Sequence, residues 1–432
     1  VHDAALTSVM PRGMRVVERG ADRLVAHPWV LAALASAISL AFLLVLPSQM
    51  SVNESADYRF AYEPMAHQLL AGHGFLDENG VASIRYPPGY PVLLAAAFAL
   101  GHGVGVSETT AALALNLVAT GAGSLLVFLL AAPLWGRRLA LIPWAAWSTY
   151  PLALYLLKQP NSEVPFIVLM IGALVCLAPL AVGDDIGPGR AAACGVLIGA
   201  AMLVRPIAIG LGIVFALLVA LARARWRVRL AAVLLAANVL TVLPWELWLY
   251  QQTGGFVALS SAGPAALRDG LTFAVRMKGF RSGTWVPDDV RTVMTNISNE
   301  YPRLRTSGAV VEVLAREFRR DPIAVTKLLM LKAARSWYGT DSQRFEGAIL
   351  ALQCLYLAAI VLATVAAWMS GSRGRAMVVC AWTIALYFWG MTIISSSLVR
   401  YMVPPTALLF ILLPALGRWW PGLAASRRPA LD

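Results

Sequence analysis

Long apolar runs separated by short basic turns set the first limit on what this chain can fold into. A helix needs about 20 mostly apolar residues to cross a bilayer. Runs approaching or exceeding that length cover Pro28–Leu46, Thr110–Trp135, Leu139–Leu157, Val164–Val182, Leu230–Tyr250, Gly347–Met369 and Ala376–Ile394. Shorter ones at Ala191–Val204, Ile207–Ala222 and Tyr401–Leu416 bring the expectation to about ten spans. The chain is 59% hydrophobic and only 13% charged, whereas a soluble domain carries roughly 25% charged residues. The reading is an all-α polytopic membrane protein, with interfacial helices in its outside loops.

The net charge of +12 is a membrane-topology signal here. The basic residues cluster between apolar runs, at Arg137-Arg138, Arg190, Arg223 to Arg229 and Arg375. Short loops rich in Lys and Arg stay on the cytoplasmic side, so no nucleic-acid partner is expected. Arg12, Arg15, Arg19 and Arg23 before the first run, and Arg418, Arg427 and Arg428 after the last, put both termini in the cytoplasm. The piece from Val92 to Leu100 follows Pro87, Pro88 and Pro91 and is too short to span. It reads as an interfacial or re-entrant helix. Had it spanned, every basic turn from Arg137 to Arg375 would lie outside. No cleavable signal peptide is expected. Cys176, Cys194, Cys354 and Cys380 lie in apolar runs without metal-ligand spacing and read as small buried hydrophobes.

Three regions follow. Residues 1–250 form an N-terminal transmembrane module whose first outside loop, 48–108, carries the expected chemistry. Residues 251–346 form an outside loop region with an amphipathic helix at Pro322–Tyr338. Residues 347–432 form a C-terminal transmembrane module.

The first outside loop holds Glu54, Asp57, Glu63, His67, His73, Asp77, Glu78 and Arg85. Ionisable residues beside a membrane-embedded segment are costly and usually functional. With this topology the same face also receives Glu163, Arg205, Lys332, Arg335 and Arg400. Each has a plain structural explanation: Glu163 as a helix N-terminal acid, Arg205 and Arg400 as interfacial anchors, Lys332 and Arg335 as a solvated face. All of them being incidental on one face is a weaker explanation than a site. Carboxylates with cations at one membrane face suit transfer from a lipid-linked phosphate. A carboxylate would take the proton of an attacking hydroxyl, and arginines would hold the leaving phosphate. No P-loop, HExxH, GxGxxG or hydrolase elbow is present.

The ordered motifs also resemble a known family. Asp57-Tyr58, LLAGHGF and RYPPGYPVLLA resemble the first extracytoplasmic loop of the GT-C glycosyltransferases. LWGRRLALIPWAAWSTYP, NSEVPF, LIGAAMLVRPIAI, PWELWLYQQTGGFVALSSAGP and RYMVPP follow in the expected order over nearly the whole chain. The similarity is nearest to the bacterial family 39-like branch, related to protein O-mannosyltransferases and the lipid A aminoarabinose transferase. It implies Asp57 as general base, Glu163 as the second acid, and Arg205 and Arg400 near the donor phosphate. Lys332 and Arg335 join the expected phosphate set. Glu54, Tyr58, His67, Arg85, Tyr86 and Tyr401 are the expected substrate-binding residues. Where that family commonly has an arginine in a PWxxRN-like motif, this chain has Trp248, so no phosphate role attaches there.

The resulting expectation is an integral-membrane enzyme moving one sugar from a polyprenyl-phosphate donor to a hydroxyl of a lipid, glycan or protein. Its site would face outward from the plasma (inner) membrane. No cofactor is expected, the lipid-linked sugar being a substrate. No divalent metal is expected either, since no cluster of three or more acidic ligands converges in the sequence. A transporter or flippase of a lipid-linked sugar is the alternative. It would favour ionisable residues inside spans and internal repeats.

Overall fold

The computed structural model describes residues 24–46, 57–222, 225–273 and 286–419. Among them the chain is helical, with one antiparallel bridge between Leu76 and Ala82. Helix α1 (Pro28–Val45) leads to the first loop, where a π-type turn (Tyr58–Tyr62) runs into α2 (Glu63–Leu70). Helices α3 (Gly89–Gly103) and α4 (Glu108–Trp135) form a hairpin. Next come α5 (Leu141–Ser148), α6 (Pro151–Leu156), α7 (Glu163–Val182), α8 (Pro188–Val204), α9 (Leu211–Leu221) and α10 (Arg227–Thr253). The following region holds α11 (Gly263–Thr272), α12 (Asp288–Asn299), α13 (Ser307–Arg320) and α14 (Pro322–Arg335). The described chain ends with α15 (Glu346–Trp368), α16 (Ser372–Ile394), α17 (Val403–Phe410) and a 3-10 segment to Trp419.

Six of these helices, α1, α4, α7, α10, α15 and α16, are long and apolar enough to cross a membrane. Segments 89–103, 188–204, 206–221 and 403–417 are shorter apolar helices. The run Leu139–Leu157, expected as one span, is broken into α5 and α6. Pro151 has no N–H to continue a helix, and Tyr150 before it takes an extended conformation at φ −66°, ψ 113°. Leu217, Leu240, Leu355 and Val361 point outward and are 50% or more exposed, as lipid-facing residues must. Cys194 is buried as expected, but Cys354 is exposed on α15. Its apolar run made it look buried, because a lipid-facing position is as apolar as a core one.

Most of the transmembrane helices share a core running from Val25 to Ala415, with a small second cluster around Ala119, Leu154, Leu157 and Val164. Close approach is built from small residues, as is usual between membrane helices. A Cβ added at Gly195 on α8 would collide with the Leu234 carbonyl of α10, and one at Gly199 would meet Thr241 at 2.6 Å. Residues from Leu271 to Leu328 form a separate hydrophobic cluster, so α11 to α14 carry a core of their own.

The α3–α4 hairpin bears on the sidedness argument. The start of α3 touches the end of α8, where a Cβ at Gly89 would lie 2.7 Å from the Leu203 backbone. The end of α3 touches the start of α4, at Gly101 against Val106 and Ala111. Lower on α4, Asn116 donates to the carbonyl of Gln159 in the turn before α7, at 3.2 Å. Helix α3 therefore runs from the level of Arg205 to the start of α4, where the chain turns back.

Cysteines introduced at Gly103 and Arg137 should label from opposite sides of the membrane. The 28 residues of α4 separate them by roughly 42 Å at about 1.5 Å per residue. The check is an impermeant thiol reagent on intact cells, in a background lacking the four native cysteines. Labelling of both from one side would overturn this topology.

Candidate active site

Four separate segments meet at one end of the bundle. The first is the π-type turn after Asp57, where Glu63 N–H reaches back to the Tyr58 carbonyl. Such wide turns recur at functional sites. The second is the start of α7. There Asn161 Oδ1 accepts from the backbone N–H of Glu163 at 3.1 Å, leaving the Glu163 carboxylate free to turn elsewhere. The third is the end of α8. Pro206 stops the helix, and Arg205 is extended at φ −145°, ψ 121°. The fourth is the short 3-10 turn Val399–Tyr401 between α16 and α17.

These turns bring together Asp57, Glu163, Arg205, Arg400 and Tyr401. Arg205 Nη1 lies 2.7 Å from Glu163 Oε2 and donates to Ser162 Oγ at 2.9 Å. Arg400 stands between three carboxylates, with Asp57 at 3.8 Å, Glu163 at 3.6 Å and Asp341 at 3.5 Å. Both guanidinium groups lie over the Tyr401 ring at 5.0 Å, and Arg400 Nη2 donates to Tyr401 Oη at 3.1 Å. Burial alone weakens the Arg400 charge. Asp341, Tyr401, Glu163 and Asp57 more than offset that, and its pKa is held above the ordinary guanidinium value.

The two arginines are not equivalent. The Arg205–Glu163 contact has the length of a charge-assisted hydrogen bond, about 2.7–2.9 Å. The three Arg400 contacts are longer. Glu163 Oε1 and Arg400 Nε are both buried, and neither has a hydrogen-bond partner among the described residues. They face each other at 3.6 Å, beyond a good hydrogen bond. Arg205 is thus locked in place, while Arg400 keeps donor capacity.

Tyr86 supports Asp57. Its hydroxyl donates to Asp57 Oδ1 at 2.7 Å. Burial first, then the neighbouring Asp57 carboxylate, push its pKa up, so it remains a donor at neutral pH. Its ring packs on Tyr62 at 5.1 Å, and Tyr62 packs edge-on to Tyr90 at 5.1 Å. Arg85 is exposed, with its guanidinium 5.5 Å from the Tyr86 ring centroid. Tyr58 is buried beside this group.

Other candidates sit apart from this centre. His67 bonds Glu108 at 2.8 Å at the top of the α3–α4 hairpin. Arg335 pairs with Glu346 and also donates to the Thr340 carbonyl at 3.2 Å. Lys332 is fully buried and donates to the Ser395 carbonyl at 2.7 Å. These two cations brace α14 against the segments flanking α15 and α16. Glu54 lies outside the described residues. The sequence reading did not pick out Asp341, Ser162 or Tyr62. Only Asp341 carried a usable signal, as an acid in a short polar turn between two expected helices. Trp248, noted for its departure from the family pattern, stacks on Trp245 at 4.7 Å, with Phe75 edge-on to it at 5.5 Å. Among the described residues no three His, Cys, Asp or Glu side chains group as metal ligands.

Comparison with known proteins agrees with the motif reading. Residues 85–248, less than half of the chain, match the family described as dolichyl-phosphate-mannose-protein mannosyltransferase. No curated protein sequence matches. The fold is similar to the Archaeoglobus fulgidus oligosaccharyltransferase tethered to an acceptor peptide containing the NVT sequon. That match has a TM-score of 0.55 and 14% identity, covering 93% of this chain and 50% of that one. The archaeal oligosaccharyltransferase AglB from the same organism, in complex with an inhibitory peptide and dolichol-phosphate, matches at TM-score 0.51 and 13% identity. It covers 94% of this chain and 52% of that one. ArnT from Cupriavidus metallidurans, bound to undecaprenyl phosphate, matches at TM-score 0.43 and 15% identity over 91% of this chain and 78% of that one. The present chain spans about half the length of the archaeal enzyme. The chain is a helical membrane protein whose architecture is similar to that of these oligosaccharyltransferases, and residues 85–248 carry the pattern of the mannosyltransferase family.

Lys332 gives a pH test of the brace beside the site. Burial, helped by the Arg335 charge, pushes its pKa down to about 7. In an unfolded chain a lysine titrates near its ordinary value of about 10.4. Between those values the unfolded state binds more protons, so this group makes stability rise with pH. The wild-type melting temperature should climb more from about pH 7 to about pH 9 than that of Lys332→Met. Parallel slopes would show that Lys332 is charged in the folded state. The slope is the readout, because the substitution also removes the bond to Ser395.

Proposed function

We propose that this protein transfers a sugar from a polyprenyl-phosphate-linked donor to a hydroxyl acceptor on the extracytoplasmic face. Residues 1–250 and 347–432 would form the transmembrane modules around the site, and 251–346 the outside region beside it. The observation that carries this reading is the convergence of Asp57, Glu163, Arg205 and Arg400 from four separate segments. The donor phosphate is an anion that gains charge as the glycosidic bond breaks. Arg400, with long carboxylate contacts and a side chain that is partly exposed, is suited to receive it. Arg205, held by Glu163 and Ser162, would add positive potential from a fixed position.

In this scheme the acceptor oxygen attacks the anomeric carbon as the bond from that carbon to the phosphate oxygen breaks. Polyprenyl phosphate leaves with the bonding electrons, and the acceptor proton passes to Asp57. Tyr86 would hold Asp57 in orientation through its 2.7 Å hydrogen bond. Glu163 would fix Arg205 and face Arg400 at longer range. No cofactor or metal has a role in this scheme. The transporter alternative finds less support. Among the described residues the buried charged side chains Glu163, Glu317, Lys332 and Arg335 lie at a span terminus or in the 251–346 region, not in mid-span.

The test is single-turnover sugar transfer by purified, folded variants in nanodiscs. Asp57→Asn keeps shape but cannot take the proton, so transfer should fall by about 100-fold or more while donor binding survives. Near-normal transfer by Asp57→Asn would end the assignment. A collapse confined to Glu163→Gln would pass the role to that residue.

Arg400 is tested through binding. Arg400→Ala should weaken donor-lipid binding. Arg400→Lys should recover only part of it, because a point charge lacks the planar fork of guanidinium. Unchanged donor affinity in Arg400→Ala would remove Arg400 from the phosphate site.

A further inference from the structure

At the end of the bundle opposite Asp57, a cleft of about 660 Å³ opens between α4, α7, α9, α16 and α17. Its walls include Leu134, Leu177, Leu218 and Ile384, and its rim holds Arg373 and Arg375. It occupies the last turns of α7 and the first turns of α16, whereas Glu163 begins α7 and Arg400 follows α16. From Arg373 to Ile384 it runs along α16 for roughly 17 Å at about 1.5 Å per residue. That is about half the ~30 Å hydrocarbon core, the depth of a single leaflet.

A space this large, walled by aliphatic side chains, is not a packing defect. Protein interiors are close-packed, with few voids larger than a water molecule. Its polar feature is the arginine rim. Arg373 and Arg375 are exposed. Arg373 gives one N–H to the Val182 carbonyl at 3.2 Å, which anchors its guanidinium at the mouth. The Arg375 guanidinium lies 6.0 Å from the Trp368 ring centroid. The same end of the bundle carries Arg137, Arg138, Arg190, Arg225, Arg227 and Arg229. The turn between α7 and α8 at this end carries Asp184 and Asp185, and Asp185 accepts from the backbone N–H of Arg225 at 3.1 Å. Positive charge dominates. Basic pockets between transmembrane helices attract anionic lipid head groups.

We propose that this cleft binds one anionic phospholipid from the leaflet on that face. An acyl chain fills the apolar slot, and the phosphate sits on Arg373 and Arg375. Helices α4, α7 and α9 supply one wall and α16 and α17 the other. The lipid therefore acts as a wedge that fixes α16 and α17, and so the segment ending in Arg400, against the rest of the bundle. This role does not depend on the transferase reading.

The experiment compares phosphatidylglycerol with phosphatidylcholine bearing the same acyl chains, added to delipidated protein in detergent. Retention is read by native mass spectrometry and stability by thermal melting. The wild type should retain the anionic lipid with a preference of roughly tenfold or more, and that lipid alone should raise its melting temperature. The double variant Arg373→Gln, Arg375→Gln should melt like the wild type without lipid and lose the preference. Leu177→Trp, which fills the slot, should reduce retention with both arginines intact. Equal retention of the two lipids by the wild type, or undiminished preference in the double variant, would overturn the proposal. If Leu177→Trp alone leaves retention intact, the lipid sits on the surface arginines and the slot has no part in binding.

Discussion

A buried carboxylate at the edge of a membrane is tolerable only beside cations, and Glu163 sets that condition here. It is 2% exposed and begins a span. Removing its charge partners would leave an uncompensated buried charge, costing about 3–5 kcal/mol. Arg205 meets the requirement at 2.7 Å, and Arg400 approaches from the other side at 3.6 Å. Helix α8 must therefore stop where it does, and the chain between α16 and α17 must turn where it does. The ion-pair requirement and the bundle topology specify the same geometry.

The surrounding structure turns that electrostatic constraint into a site. Long helices supply the fixed frame, and the functional side chains sit at helix ends and turns, where a rigid scaffold usually presents them. The Gly195 and Gly199 contacts set the α8–α10 packing and so the position of Arg205. The Tyr62, Tyr86 and Tyr90 rings form a stiff aromatic floor under Asp57. The α11–α14 region, with its own core, reaches the site through the turn after α14. There the Gly339 carbonyl accepts from Val399 N–H at 2.9 Å, and Asp341 meets Arg400.

Much of this was legible in the chain itself. The lengths of the apolar runs gave most helix positions to within a few residues. Arg205-Pro206 and Arg400-Tyr401 marked helix ends at which a cation would emerge. Acids beside apolar runs marked the first loop and Glu163, and the motif resemblance picked out Asp57 among the loop's acids. The reading was weaker where local pattern competes with packing. Leu139–Leu157 is apolar enough for a span, yet its proline divides it. Cys354 looks like a core residue because lipid and protein interior select the same side chains. Lys332 and Arg335 have the charge of phosphate ligands, but tertiary contacts give each a different partner, the Ser395 carbonyl and the Glu346 carboxylate.

By itself the sequence determined an all-helical membrane protein, the boundaries of most spans, and which acids and arginines stand at span ends. Those follow from transfer free energies that act residue by residue and need no partner. Only the tertiary structure decided that Arg205 is locked while Arg400 is loosely held, that Tyr86 serves Asp57, and that Asp341 joins them. These depend on distances between segments that lie from 29 residues apart, for Tyr86 and Asp57, to several hundred, for Arg400 and Asp57. Electrostatic interaction varies with distance and local dielectric, so a difference of one ångström separates a fixed ion pair from an available ligand.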